Sequence, residues 1–242
     1  MEFEPIGFLE SCFKEKFGIP RQSGLVTQAN GVIKLLNDPD LRTAIRSLES
    51  FSHIWLIFVF HEHGSQNWKP SIRPPRLGGA QKVGVLASRS PHRPNPIGLS
   101  AVKLDRVDPD AVDGPEIHVS GVDLLNGTPI LDIKPYIPYA DSIPNANAGW
   151  AKDPIQRMTV ELTEQAEAAI RIRAKNEAYF NLKSLIIEML ELDPRPAFQQ
   201  RRLPANQPLA QGTCYGFKLF DFDVKWEIRD QKFIVLDVVD IH

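Results

Sequence analysis

Cysteine is nearly missing from this chain: Cys12 and Cys214 stand far apart with no CxxC pair, which excludes a zinc ribbon or a disulfide framework and fits a reducing compartment. Long apolar runs are missing too. The longest, Ile54 to Phe60, falls short of the roughly 18 residues that a membrane span requires and reads as a buried strand. The opening Met1-Glu2-Phe3-Glu4 is acidic and no apolar h-region follows, so no secretory signal is expected, and the expected location is cytoplasmic. Acidic residues vanish between Glu62 and Asp105, while Lys69, Arg73, Arg76, Lys82, Arg89, Arg93 and Lys103 all fall there. That asymmetry marks a candidate anion-facing surface in a chain whose net charge is only −2.

Familiar catalytic signatures are equally wanting. No Gly-rich strand-turn-helix is present, which excludes the common doubly wound donor site. Gly98-Leu99-Ser100 lacks the second glycine of a nucleophile elbow. His61-Glu62-His63 places two imidazoles at i and i+2, on one strand face, but no HExxH helix or third ligand accompanies them. No metal is expected, and the pair reads as a polar strand end; His53 reads as a core or turn histidine.

What is present describes a folding chain. With 43% apolar and 24% charged residues over 242 positions, the composition is that of a globular protein large enough for one domain plus a smaller partner. Strands are predicted over Phe3 to Leu9, His53 to His61, Lys82 to Ala87, Leu99 to Val107, Glu116 to Leu124 and Ile130 to Tyr136. One short helix, Pro39 to Leu48 with Asp38 as N-cap, interrupts them. Strands in succession without crossover helices predict a mainly β fold, an antiparallel barrel or sandwich, over residues 1–150. Beyond the Pro/Ala/Asn-rich stretch that follows Tyr136 the pattern turns helical, from Thr163 to Leu192, with Phe180, Leu185, Ile186, Met189 and Leu190 as its buried positions. The alternation Phe222, Val224, Trp226, Ile228 and a second strand from Phe233 to Val239 add a hairpin, making residues 151–242 a small α+β domain.

The most unusual segment is Arg89-Ser90-Pro91-His92-Arg93-Pro94-Asn95-Pro96-Ile97-Gly98, where prolines stiffen a loop rich in cationic and hydrogen-bonding groups. On composition alone it is either an anion cradle or a structured connector with solvated arginines. With Asn126-Gly127-Thr128-Pro129-Ile130-Leu131-Asp132-Ile133-Lys134-Pro135-Tyr136, it closely resembles the signature segments of the TrmO (TsaA-like) family. Pro20 to Leu25, Phe51 to Trp55, Arg73 to Gly79, Asp193 to Pro196 and Phe220 to Phe222 follow the same pattern in order, so the resemblance spans nearly the whole chain.

That resemblance implies a tRNA methyltransferase that uses S-adenosylmethionine to methylate N6 of threonylcarbamoyladenosine beside the anticodon, with threonine tRNA as substrate. It also implies a β-barrel for the first domain and a homodimer as the working form. By the same resemblance the donor site draws on Pro20, Arg21, Gln22, His61, Glu62, Arg89, Leu99, Leu125, Asn126, Gly127 and Thr128. An arginine such as Arg21 or Arg89 suits the donor's carboxylate, because a guanidinium presents a matching planar fork. Many members carry Asp where this chain has Asn126; either residue suits the positive-φ turn, so position 126 is read both as a ligand contact and as a turn residue.

Asp132, Lys134 and Tyr136 alternate on one strand face with Asp141 shortly after. They read either as the acceptor side of the pocket, with Asp132, Tyr136 and Asp141 as candidate catalytic residues, or as a salt-bridged strand face with a packed tyrosine. In the second domain Asp193-Pro194-Arg195-Pro196-Ala197-Phe198 followed by Arg201-Arg202 reads as a rigid basic elbow touching tRNA, along with Arg73, Arg76 and Arg93, or as a plain helix stop. A fragment ending near Trp150 is expected to keep donor binding and to methylate tRNA poorly. Two other classes remain in view: a non-catalytic tRNA-binding module of the same fold, and a metal hydrolase built on His61 and His63.

Overall fold

The structure is a computed structural model that describes residues 2–62, 68–207 and 210–241. In chain order its first elements are β1 (Gly7–Ser11), β2 (Asn30–Leu35), helix α1 (Pro39–Ala44) and β3 (His53–Val59). A two-stranded ribbon, β4 (Ser71–Ile72) and β5 (Val83–Gly84), precedes β6 (Ile97–Asp108), β7 (Glu116–Ser120) and β8 (Thr128–Pro135). Strands β1, β2, β7, β6, β3 and β8 close in that order into an antiparallel barrel. Closure removes free sheet edges, and the period-two alternation turns Leu9, Ile33, Ile54, Leu56, Phe58, Val102, Ile117 and Ile130 into the core.

Several boundaries differ from the sequence reading for identifiable reasons. Strand β1 starts at Gly7, later than the predicted Phe3, and runs to Ser11; Gly7 sits so close to β2 that a Cβ would meet the Lys34 carbonyl oxygen at 2.3 Å. Strand β2 escaped prediction because Gly31 occupies one of its inward positions. Asp38 caps α1 as expected, accepting from the Asp40 amide, but the helix stops at Ala44 since Ser47 adopts a left-handed φ of 65°. The predicted strand Lys82 to Ala87 is a two-residue bridge followed by a 3-10 turn, Val85 to Ala87.

Two places in the barrel wall govern which side chains face out. In β8 the register slips against β3 between Ile57 and Phe58, so both Ile130 and Ile133 turn inward while Asp132 and Lys134 face out. In β6, Gly98 lies under the buried ring of Phe58, where a Cβ would come within 2.2–2.8 Å of three ring carbons. Gly98→Ala is therefore expected to lower stability by about 1–3 kcal/mol, measured by denaturant unfolding. An unchanged midpoint would mean that the ring moves aside without cost.

After β8 the chain passes through α2 (Pro138–Asp141) and reaches β9 (Val160–Leu162), α3 (Glu164–Arg173), α4 (Leu182–Glu191), α5 (Ala197–Arg202), β10 (Cys214–Leu219), β11 (Phe222–Arg229) and β12 (Lys232–Asp240). The last three strands form a meander, and β9 joins it parallel to β12, giving a four-stranded sheet where the sequence suggested a hairpin. Thr163 caps α3 through the Ala166 amide, and Leu182, Leu185, Ile186, Met189 and Leu190 of α4 pack on the sheet. Phe180, expected to be buried, is 68% exposed because it ends the 3-10 turn before α4 and points away from that stripe. Trp226 is wholly buried between Tyr215 and Phe233, with ring centroids 4.6 and 4.7 Å away. None of the described helices is long and apolar enough to cross a membrane.

The barrel and the C-terminal sheet with its helices share one continuous core, and the segment between β1 and β2 is the seam. There the Cys12 carbonyl accepts from the Phe220 amide at 2.8 Å, Glu15 accepts from the Lys218 amide at 2.8 Å, and Gly18 lies against Met189 and Phe217. Thr27 and the Gln28 amide both donate to Glu188, and Asn181 donates to the Gln28 carbonyl at 2.8 Å.

Candidate active site

Three segments far apart in sequence meet at one end of the barrel. The first is the seam segment carrying Pro20, Arg21, Gln22 and Ser23. The second is the proline-stiffened loop before β6, where Arg89 donates to the Gln22 side-chain oxygen. The third, Asp123 to Thr128, leads from β7 into β8 and is pinned along its length. Ser11 Oγ donates to the Leu124 carbonyl at 2.8 Å, the Asn126 amide to the Phe13 carbonyl at 2.9 Å, and the Gly127 amide to the Leu9 carbonyl at 2.8 Å.

The side chain of Asn126 takes part in that pinning. Its Oδ1 accepts from the Ser11 amide at 3.1 Å, a task an aspartate oxygen performs equally well, so the exchange leaves the turn intact. Gly127 supplies the turn's positive φ of 80°, and space around its missing Cβ is open. Thr128 is buried and donates to the Leu125 carbonyl at 2.6 Å.

Charge at this end is dominated by arginine. Arg21 keeps an exposed edge but is hemmed in by protein; burial lowers its pKa, nearby Asp193 raises it and nearby Arg76 lowers it. Arg76 donates to the Asp153 carbonyl and Arg73 is exposed. Arg201 approaches the same ridge, its Cδ 4.0 Å from where a Cβ on Gly78 would stand. Basic residues predicted in the two domains thus adjoin across the seam. Arg93 is turned inward instead, donating to the carbonyls of Ser88 at 2.7 Å and Val85 at 3.3 Å and so closing the 3-10 turn.

The elbow after α4 also departs from expectation at one residue. Arg195 is 1% exposed: Asp193 grips it through both oxygens, at 2.8 and 2.7 Å, and Nη1 donates to the Leu203 carbonyl at 2.8 Å. Its guanidinium lies over the Tyr215 and Phe233 rings, 5.8 and 5.5 Å from their centroids. It therefore holds the elbow's shape and is not available to touch RNA directly; Arg201, Arg202 and Phe198 are the exposed residues there.

On the barrel's outer wall, Asp132 of β8, Ile57 of β3 and Leu99 of β6 form one cross-strand row, followed by Lys134, Trp55 and Ala101. The candidate acceptor and donor residues therefore share a face. Leu99 is 54% exposed, Asp132 pairs with Lys134 at 2.7 Å, and Tyr136 packs on Trp55 with centroids 5.6 Å apart. Asp141 is engaged locally, accepting from the Ile137 amide at 2.7 Å. Glu62 pairs with Lys16 at 3.1 Å just beyond β3, next to His61. His63 lies outside the described residues, and no group of three or more potential metal ligands occurs among the described residues.

Sequence reasoning missed two polar groups of this end. Trp150 donates its indole N–H to the Ala87 carbonyl at 2.9 Å, strapping the interdomain stretch to the arginine loop. Asp123 is largely buried and accepts from Ser100 Oγ at 2.7 Å and from the Ser23 amide. Burial pushes its pKa up to about 6, against the lowering pull of those hydrogen bonds and of Arg89. The only signal in the sequence was a lone acid between Val122 and Leu124.

Residues 8–142 match the family described as tRNA-methyltransferase O N-terminal domain, and residues 155–241 match the TrmO C-terminal domain. The tRNA (adenine(37)-N6)-methyltransferase of Escherichia coli (strain K12) is 42% identical over 235 residues, covering 97% of this chain and 96% of that protein. A protein of the same description from Eikenella corrodens is 45% identical over 150 residues, 62% of this chain and 80% of its own length. The crystal structure of TrmO from Pseudomonas aeruginosa superimposes with a TM-score of 0.78 at 37% identity, covering 99% of this chain and 98% of that one. Matched in both domains, in order and at close to full length, the chain belongs to the TrmO family of tRNA methyltransferases.

Proposed function

We propose that this protein is an S-adenosylmethionine-dependent tRNA methyltransferase acting on N6 of adenine 37, with threonylcarbamoyladenosine in threonine tRNA as the acceptor. The observation that carries this reading is the meeting of Pro20 to Gln22, Arg89 and Leu125 to Thr128 at one barrel end, in a chain 42% identical to a tRNA (adenine(37)-N6)-methyltransferase.

The residues suit the donor. Arg21 and Arg89 offer planar guanidiniums for its carboxylate, Leu99 an exposed apolar face for its adenine, and Gly127 a backbone open to close approach. The donor brings a methyl group on a positively charged sulfur, ready for in-line displacement. The protein's task is then to orient the acceptor nitrogen, exclude water and receive a proton. Asp132 is the better placed of the two candidate carboxylates to receive it, since it shares the outer face with Leu99 while Asp141 is tied to its own turn. The exposed Arg73, Arg76, Arg201 and Arg202 suit the phosphates of the anticodon stem-loop.

The working form is a homodimer in the cytoplasm. Support comes from the outer wall: Ile97 and Leu99 are exposed beside Ile57, Val59 and Trp55, an apolar strip of the kind that a second copy covers. Nucleoside mass spectrometry on tRNA lacking the mark, incubated with protein and S-adenosylmethionine, is expected to show one added methyl on threonylcarbamoyladenosine. A tRNA complex that forms without donor binding or methylation would favour a non-catalytic tRNA-binding module.

A further inference from the structure

Asp123 stands among the three donor-site segments without belonging to the expected ligand set. Its carboxylate accepts from Ser100 Oγ of β6 at 2.7 Å and from the Ser23 amide of the seam segment, and Arg89 of the proline-stiffened loop presents the facing charge. Each partner sits directly beside a candidate donor contact: Ser100 follows Leu99, Ser23 follows Gln22, and Arg89 itself bonds Gln22. Asp123 also opens the segment that ends in Asn126 to Thr128.

We propose that ionised Asp123 is a positioning residue for the donor site, holding the Gln22–Ser23 backbone, the Leu99–Ser100 strand and the Arg89 guanidinium in the arrangement that binds S-adenosylmethionine. The proposal rests on the donor reading given above. The carboxylate fixes Ser23 by accepting its N–H, fixes Ser100 by accepting its O–H, and draws Arg89 inward by charge. Once protonated it loses the attraction for Arg89 and becomes a poorer acceptor for both hydrogen bonds. A carboxyl kept ionised against its burial costs stability, and such groups concentrate where function needs them. The sign follows from the raised pKa: the folded protein binds the proton more readily than the unfolded chain, so this group lowers stability as pH rises from about 4 to about 6 and does so fully above that.

The test is donor affinity, measured by calorimetry between pH 5 and 8, together with thermal unfolding of the donor-free protein. Wild-type affinity is expected to fall as pH drops through about 6. Asp123→Asn keeps shape and an acceptor oxygen, so it should bind about tenfold more weakly at pH 8 and lose that pH step. In the absence of donor it should melt higher than wild type at pH 8 and no differently at pH 4. Ser100→Ala, which removes one of the hydrogen bonds that favour the ionised form, should shift the step to higher pH. Wild-type affinity at pH 8 in Asp123→Asn, or an unchanged step in either variant, overturns the proposal. If Asp123→Asn does not fold, the Ser100→Ala shift decides. A wild-type protein with no donor binding at any pH would refute the donor reading itself, a result distinguishable from both.

Discussion

Arg195→Ala is expected to destabilise the protein by about 3–5 kcal/mol, the usual consequence of removing one member of a buried ion pair. Five interactions are lost together: both Asp193 contacts, the bond to the Leu203 carbonyl and the stacking on Tyr215 and on Phe233. Asp193, itself at a strained φ of 48°, is left beside a hole in the core. For a chain of this length that corresponds to a fall in melting temperature of roughly 10 °C. Calorimetry or denaturant unfolding reads the loss, and tRNA affinity of the folded fraction separates two roles. Arg201→Ala with Arg202→Ala should leave stability alone and weaken tRNA binding, with a shallower salt dependence. Were Arg195→Ala as stable as wild type but deficient in tRNA binding, the guanidinium would have to leave its pocket to meet the RNA.

A fragment ending at Trp150 is expected to lose donor affinity by more than tenfold. This differs from the sequence reading, because the segment proposed to bind the donor is held by residues beyond Trp150. Cys12, Glu15, Leu25, Thr27 and Gln28 take hydrogen bonds from or give them to Phe220, Lys218, Arg157, Glu188 and Asn181. Gly18 also loses its contacts with Met189 and Phe217. At about 1 kcal/mol for a typical hydrogen bond, the sum exceeds what is needed to leave Pro20 to Ser23 unanchored. All six barrel strands end by Pro135, so closure of the barrel needs no strand from the rest of the chain. Circular dichroism therefore checks the barrel while calorimetry checks the donor. A folded fragment with undiminished affinity would show that the barrel alone orders its donor loops.

Most barrel strands were legible as short β-type segments separated by Gly, Pro and Asn, signals that survive in a single sequence, while the choice of barrel over sandwich came from the family resemblance. Strands β2 and β9 were not, because β2 hides Gly31 in an inward position and β9 has only three residues. Phe180 and Arg195 were misread for complementary reasons: periodicity cannot see that a 3-10 turn rotates Phe180 outward, and composition cannot see aromatic rings closing over a guanidinium. That Asp132 and Lys134 share one strand face was anticipated from alternation, although only the register slip at Ile57 explains how Ile130 and Ile133 both reach the core. Asp123 stayed invisible because its importance lies in three long-range partners, and distance along the chain says nothing about which loops converge.

The bond from the Phe220 amide to the Cys12 carbonyl sets a timetable for synthesis. The barrel strands leave the ribosome first, yet the stretch that must lie against Phe217, Lys218 and Phe220 waits until those residues emerge. A nascent chain can close its barrel while still tethered, but the segment between β1 and β2 settles only once β10 and β11 have been made.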